Sequence, residues 1–115
     1  MAKNYVQKGH YLWLTVGAGV KSGDPVAVGQ IIGVATIDAD ANNQATVDTK
    51  GVYDLSVKAI DGGGNSAVSV GDAIYYVSGD TPKLSKKTSG VLYGYALEAI
   101  TASSTDTINV KLANK

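Results

Sequence analysis

The chain has 115 residues, with ten lysines, nine aspartates and one glutamate, no arginine and no cysteine. Its formal net charge of zero and its missing arginines remove the steering field and the bidentate fork on which nucleic-acid or anionic-membrane binding would rest. This length fits one domain, and the absence of cysteine excludes disulfides and thiolate chemistry, which suits a protein made in a cytoplasm.

The opening MAKNYVQKGH is too polar for a signal peptide, and no run approaches the length of a membrane helix. His10, the single histidine, stands at a strand start and reads as a packed or surface residue, not as a base. YLWLT follows as a strand, with Leu12 and Leu14 on one face and Tyr11, Trp13 and Thr15 on the other. GAGVKSGD lacks the Gly-Lys-Ser/Thr ending of a phosphate loop and no helix follows it, so nucleotide-driven work is excluded. Ile31 to Thr36 is apolar on both faces and predicts a central strand. The Asp- and Asn-rich stretch after it predicts a loop.

Period two returns in QATVDT (Ala45, Val47) and VYDLSV (Tyr53, Leu55, Val57), and the triple glycine at 62–64 predicts a mobile loop. Lys83, Lys86 and Lys87 in KLSKK read as a solvated loop. Gly90 to Ile100 is a second run apolar on both faces, with Glu98 inside it, either facing solvent or meeting a lysine across a subunit contact. TINVKL closes the chain with Ile108, Val110 and Leu112 on one face. The single glutamate and the wealth of Val, Thr, Ser and Gly leave little or no helix. The expected fold is all-β, a compact antiparallel barrel or sandwich of eight to ten short strands.

One pattern occurs twice. Gly23-Asp24-Pro25-Val26 precedes Ile32-Gly33-Val34-Ala35, and Gly71-Asp72-Ala73-Ile74 precedes Tyr93-Gly94-Tyr95-Ala96, with about a dozen extra residues in the second copy. It reads as one β device used twice, with a faint sign of duplication. Gly23 and Gly71 supply turn conformations, and Asp24 and Asp72 accept hydrogen bonds from a backbone N–H two positions on. Neither aspartate has other carboxylates or histidines at ligand spacing, so both are structural turn residues. Tyr75 and Tyr76 point to opposite faces of one strand. With the other tyrosines they suit an interface, where a large ring with a hydroxyl binds at modest entropy cost. No nucleophile with a base, no metal set and no cofactor motif emerges, so an enzyme is not expected.

MAKNYVQKGHYLWLT, SGDPVAVGQIIGVAT, GVYDLSVKA, VSVGDAIYYV and GVLYGYALEAITASSTDTINVKL, in this order, resemble the capsid cement, or head decoration, proteins of tailed phages and prophages. Such proteins have sometimes carried a recombinase label, against which the missing phosphate loop and arginines argue here. The resemblance implies a homotrimer of barrel-like subunits on the exterior of a virion head. There it would bridge neighbouring major capsid subunits, with no catalysis, no cofactor, and neither nucleic acid nor membrane as partner. It implies an N-terminal arm over 1–9 ahead of one domain over 10–115. The candidate capsid-contact residues are Ala2, Lys3, Asn4, Tyr5, Val6, Gln7 and Lys8, an extended segment able to add to a capsid strand and order on binding. Tyr75, Tyr76, Tyr93, Tyr95 and Glu98 are the candidate subunit interface. The alternative is a small β-barrel ligand- or saccharide-binding module without catalysis, its tyrosines lining a groove.

Overall fold

The computed structural model describes residues 11–113 except Ala18 and Thr81. Among them are eleven strands and no helix. The first four are β1 (Tyr11–Thr15), β2 (Pro25–Val28), β3 (Ile31–Ala35) and β4 (Gln44–Asp48), which form a curled antiparallel sheet in the order β1-β4-β3-β2. After β5 (Val52–Lys58) comes a small hairpin of β6 (Ile60–Asp61) and β7 (Gly64–Asn65). Then follow β8 (Ala73–Tyr76), β9 (Leu84–Ser85), β10 (Val91–Ala96) and β11 (Thr105–Leu112). Strands β10-β11-β5-β9-β8 close into a barrel, β9 running parallel to β5 and the other neighbours antiparallel.

The alternation read from sequence places the core. Leu55, Val57, Ile108, Val110 and Leu112 are buried in the barrel with Ile74, Leu84 and Ala96. A smaller cluster of Val26, Ala35, Ala45 and Val47 fills the curled sheet, with Leu14, Val16 and Val20 packed against it. Ile32 and Val34 join the barrel's cluster instead, so the two sheets share one packing interface. The Tyr93 hydroxyl ties that interface by donating to Gly33 O at 2.6 Å.

The glycine run at 62–64 forms the tight end of the β6–β7 hairpin, where the Gly63 N–H donates to Asp61 Oδ1 at 2.8 Å. The KLSKK stretch is also more than a solvated loop. Leu84 is fully buried, and Lys86 and Lys87 pair with Asp72 (3.2 Å) and Asp80 (2.7 Å). The second apolar run is a strand only as far as Ala96. Leu97 N–H then donates to Asn109 O and Ile100 returns to bridge Val68, leaving Glu98 in an exposed loop.

The repeated motif proves to be one architecture built twice. Gly23 N–H donates to Ala35 O and Gly71 N–H to Ala96 O, each at 2.7 Å. Ala35 N–H returns to Asp24 O, as Ala96 N–H does to Asp72 O. Val34 and Ala35 face Asp48 and Val47, as Tyr95 and Ala96 face Lys111 and Val110. Ala39 N–H donates to Val20 O where Ile100 N–H donates to Val68 O. The strand order β1-β4-β3-β2 thus recurs as β5-β11-β10-β8, and β9 is the one strand of the barrel with no counterpart in the first unit.

Candidate functional site

Both Gly-Asp motifs are four-residue turns, Lys21 to Asp24 and Ser69 to Asp72, with the glycine third at φ of 90° and 92°. Positive φ at that position is what a type II turn requires, and glycine adopts it without steric cost. The aspartates work differently from expectation. Asp24 Oδ2 accepts from Lys21 N–H (3.0 Å) and Asp72 Oδ2 from Ser69 N–H (2.8 Å), three residues back, because the turn folds the fourth side chain over the first amide. Acceptance from two residues ahead occurs at Asp40, Asp48 and Asp61. The turns launch β2 and β8, and their aspartates are structural.

Lys86 makes the second turn stronger. Its ammonium lies 3.2 Å from Asp72 and also donates to Ser66 Oγ and Ala67 O. The Ser69 N–H, followed by Lys86, holds the Asp72 carboxyl below its ordinary range, against a desolvation that acts the other way. The folded pKa therefore lies below the unfolded one. This stabilisation is complete above the unfolded value of about 3.9 and is lost as pH falls through the folded value. Asp72→Asn should cost stability at neutral pH, and progressively less as the pH falls below the unfolded value and the carboxylate takes up its proton. Urea unfolding across that pH range checks this, and a cost that does not change with pH would refute the linkage.

The expected interface tyrosines do not form one patch. Tyr75 and Tyr76 are half-buried, and Tyr76 stacks on Tyr93 with ring centroids 6.2 Å apart. Burial raises the Tyr76 hydroxyl pKa, with the charge of Asp24 adding to the effect. Tyr93 is a correction. It is fully buried between the two sheets and offers no surface to a neighbouring subunit. Tyr95 is 39% exposed and stands beside Lys111, itself opposite Val52, so these three make an exposed row across the barrel wall. Glu98 lies beyond the end of that strand. Residues Ala2 to Lys8 and His10 lie outside the described residues.

Tyr53, which packs against the core, donates its hydroxyl to Asp48 across the junction of the two units. Burial first, then Asp48, pushes its pKa up to about 12. The described residues hold no group of three His, Cys, Asp or Glu side chains suited to a metal ion. Two surface clefts of about 390 Å³ each flank β2, and of the tyrosines only Tyr76 borders them. Convergent tyrosines around a polar anchor, the mark of a saccharide groove, are not what these clefts present.

Sequence reading missed β1 as an exposed edge. Among the described residues β1 is an end strand of its sheet, and its outward Trp13 is 52% exposed. The signal was present in YLWLT, which has none of the charges or prolines that protect an edge. Neither the curated proteins nor the solved structures provide a match to this chain. A family model for phage cement proteins matches residues 6–112, which takes in both units, all eleven strands and the turns between them, and the chain belongs to that family.

Proposed function

We propose that this protein binds the outer surface of a phage head as a homotrimer and stabilises contacts between neighbouring major capsid subunits. The family match over residues 6–112 carries the reading, because it spans the whole double-unit fold and not one motif within it. The physics is compatible. A neutral building block with exposed apolar side chains such as Trp13, Val52 and Tyr95 suits docking in many copies, where affinity grows by multivalent engagement of a symmetric shell. The family is structural, and no catalytic step is assigned to the chain.

The test is co-sedimentation of the purified protein with mature shells of its own phage that lack decoration. Saturable binding at a fixed ratio to the capsid subunits, with raised resistance of the shells to heat, is expected. Absence of binding to such shells would overturn the reading.

A further inference from the structure

The internal repeat sets two copies of one sheet in different surroundings. Its register makes Val34 the counterpart of Tyr95 and Asp48 the counterpart of Lys111. On the next strand Tyr11 stands opposite Asp48 as Val52 stands opposite Lys111. In the first unit this face is a packing face. Val34 is buried in the barrel's core cluster, and the buried Asp48 accepts the Tyr53 hydroxyl of the second unit. In the second unit the same face is bare among the described residues. Tyr95, Val52 and Lys111 are all exposed there.

The bare face extends one step further along the wall. Asp54 stands opposite Asn109, and the Leu97 N–H donates to Asn109 O at 2.9 Å. Asp54 and Leu97 are exposed as well. Val52, Tyr95 and Leu97 thus share this part of the wall with one lysine and one aspartate. Lys111 and Asp54 are diagonal neighbours across β11 and β5. Neither takes part in an ion pair among the described residues.

We propose that the outer face of β5, β11 and β10 is a contact between copies of this chain, in which Lys111 of each copy pairs with Asp54 of the next. Two observations select a second copy as the occupant. The chain already covers the corresponding face of its first unit with another unit of the same fold. The bare face also carries one charge of each sign, each without a partner, so it is complementary to itself. A copy turned onto it can set lysine against aspartate while like charges stay apart. Lysine and aspartate side by side let the contact repeat from copy to copy, and the series closes into a ring when the rotation permits. An exposed ion pair alone contributes little. Here Val52, Tyr95 and Leu97 supply the apolar area around it and keep water from the pair. The inference rests on the self-association part of the proposed function and names the face that carries it. Of the interface residues expected from sequence it keeps Tyr95, and it adds Val52, Asp54, Leu97 and Lys111.

The experiment compares the full chain with Lys111→Asp, with Asp54→Lys, and with the chain carrying both reversals. Light scattering across a concentration series reads association, and circular dichroism confirms the fold, which exposed positions leave intact. The parent should be oligomeric. Each single reversal should weaken association about tenfold or more, because it sets like charges against each other. The double reversal should associate with itself as the parent does. It should not co-assemble with the parent, since lysine then meets lysine and aspartate meets aspartate. Capture of untagged chains by a tagged parent reads this, and an effect confined within one chain would leave co-assembly unchanged. A monomeric parent, single reversals that associate like the parent, or a double reversal that joins the parent freely would each overturn the proposal. Binding to undecorated shells, measured separately, distinguishes this failure from failure of the cement reading. A monomeric parent that still decorates shells refutes the copy contact alone. Reversals that stay oligomeric but lose the shell refute it too, by giving the face to the shell.

Discussion

Tyr93→Ala is expected to lower the stability of the protein by about 3–5 kcal/mol, and Tyr93→Phe by about 1–2 kcal/mol. The larger loss comes from a cavity at the point where the two units meet. Tyr93 is fully buried, packs in the cluster that includes Ile32 and Val34, and stacks on Tyr76. The smaller loss isolates the hydroxyl, which donates at 2.6 Å to the carbonyl of Gly33, sixty residues away. Phenylalanine keeps the ring but loses this buried hydrogen bond, whose net contribution is of that order. Burial also raises the hydroxyl pKa, so the proton needed for the bond stays in place through the ordinary pH range. Urea unfolding gives both values from the midpoints at constant slope. A Phe variant as stable as the parent would mean that the bond contributes nothing net to joining the sheets.

The misplacement of Tyr93 marks where sequence reasoning stopped. Strands with one buried face declared themselves: β1, β4, β5 and β11 alternate as written, because a residue's face follows from its neighbours two positions away. In β10 both faces are apolar, and only the distant β3 decides that Tyr93 is covered while Tyr95 is not. β9 was equally hidden. Two residues give no period, and a parallel pairing with β5 leaves no local turn signal. The twin Gly-Asp motif was legible because a type II turn needs glycine at one fixed position. Its meaning, two copies of one sheet of which only one is closed, depended on hydrogen bonds between segments more than ten residues apart. The candidate interaction surface followed the same division. The composition of YLWLT was on view, but its status as an uncovered edge was set by the absence of a partner strand beside it among the described residues.

Gly94→Ala is expected to destabilise the protein by about 1–3 kcal/mol, and Gly33→Ala by a smaller amount within the same range. Neither glycine has positive φ, so the cost is steric. A Cβ at Gly94 would stand 2.4 Å from Lys111 O and 2.9 Å from Val110 Cγ1, and one at Gly33 would stand 2.5 Å from both Asp48 O and Val47 Cγ1. In each case the obstacle includes the backbone of the adjacent strand, so the strands themselves must part. Gly79→Ala is the control, since a Cβ there meets nothing within 4 Å, and its effect should stay within about 0.5 kcal/mol. The two core positions are geometric counterparts, yet their surroundings differ in one respect. β10 and β11 belong to a closed barrel, where parting one pair strains the whole ring of strands. β3 and β4 belong to a sheet with open ends, which yields by uncurling. Denaturation of both alanine variants checks this, and equal costs at the two positions would refute it. Closure is a mechanical constraint as well as a set of contacts, and the difference between the two substitutions reads that constraint directly.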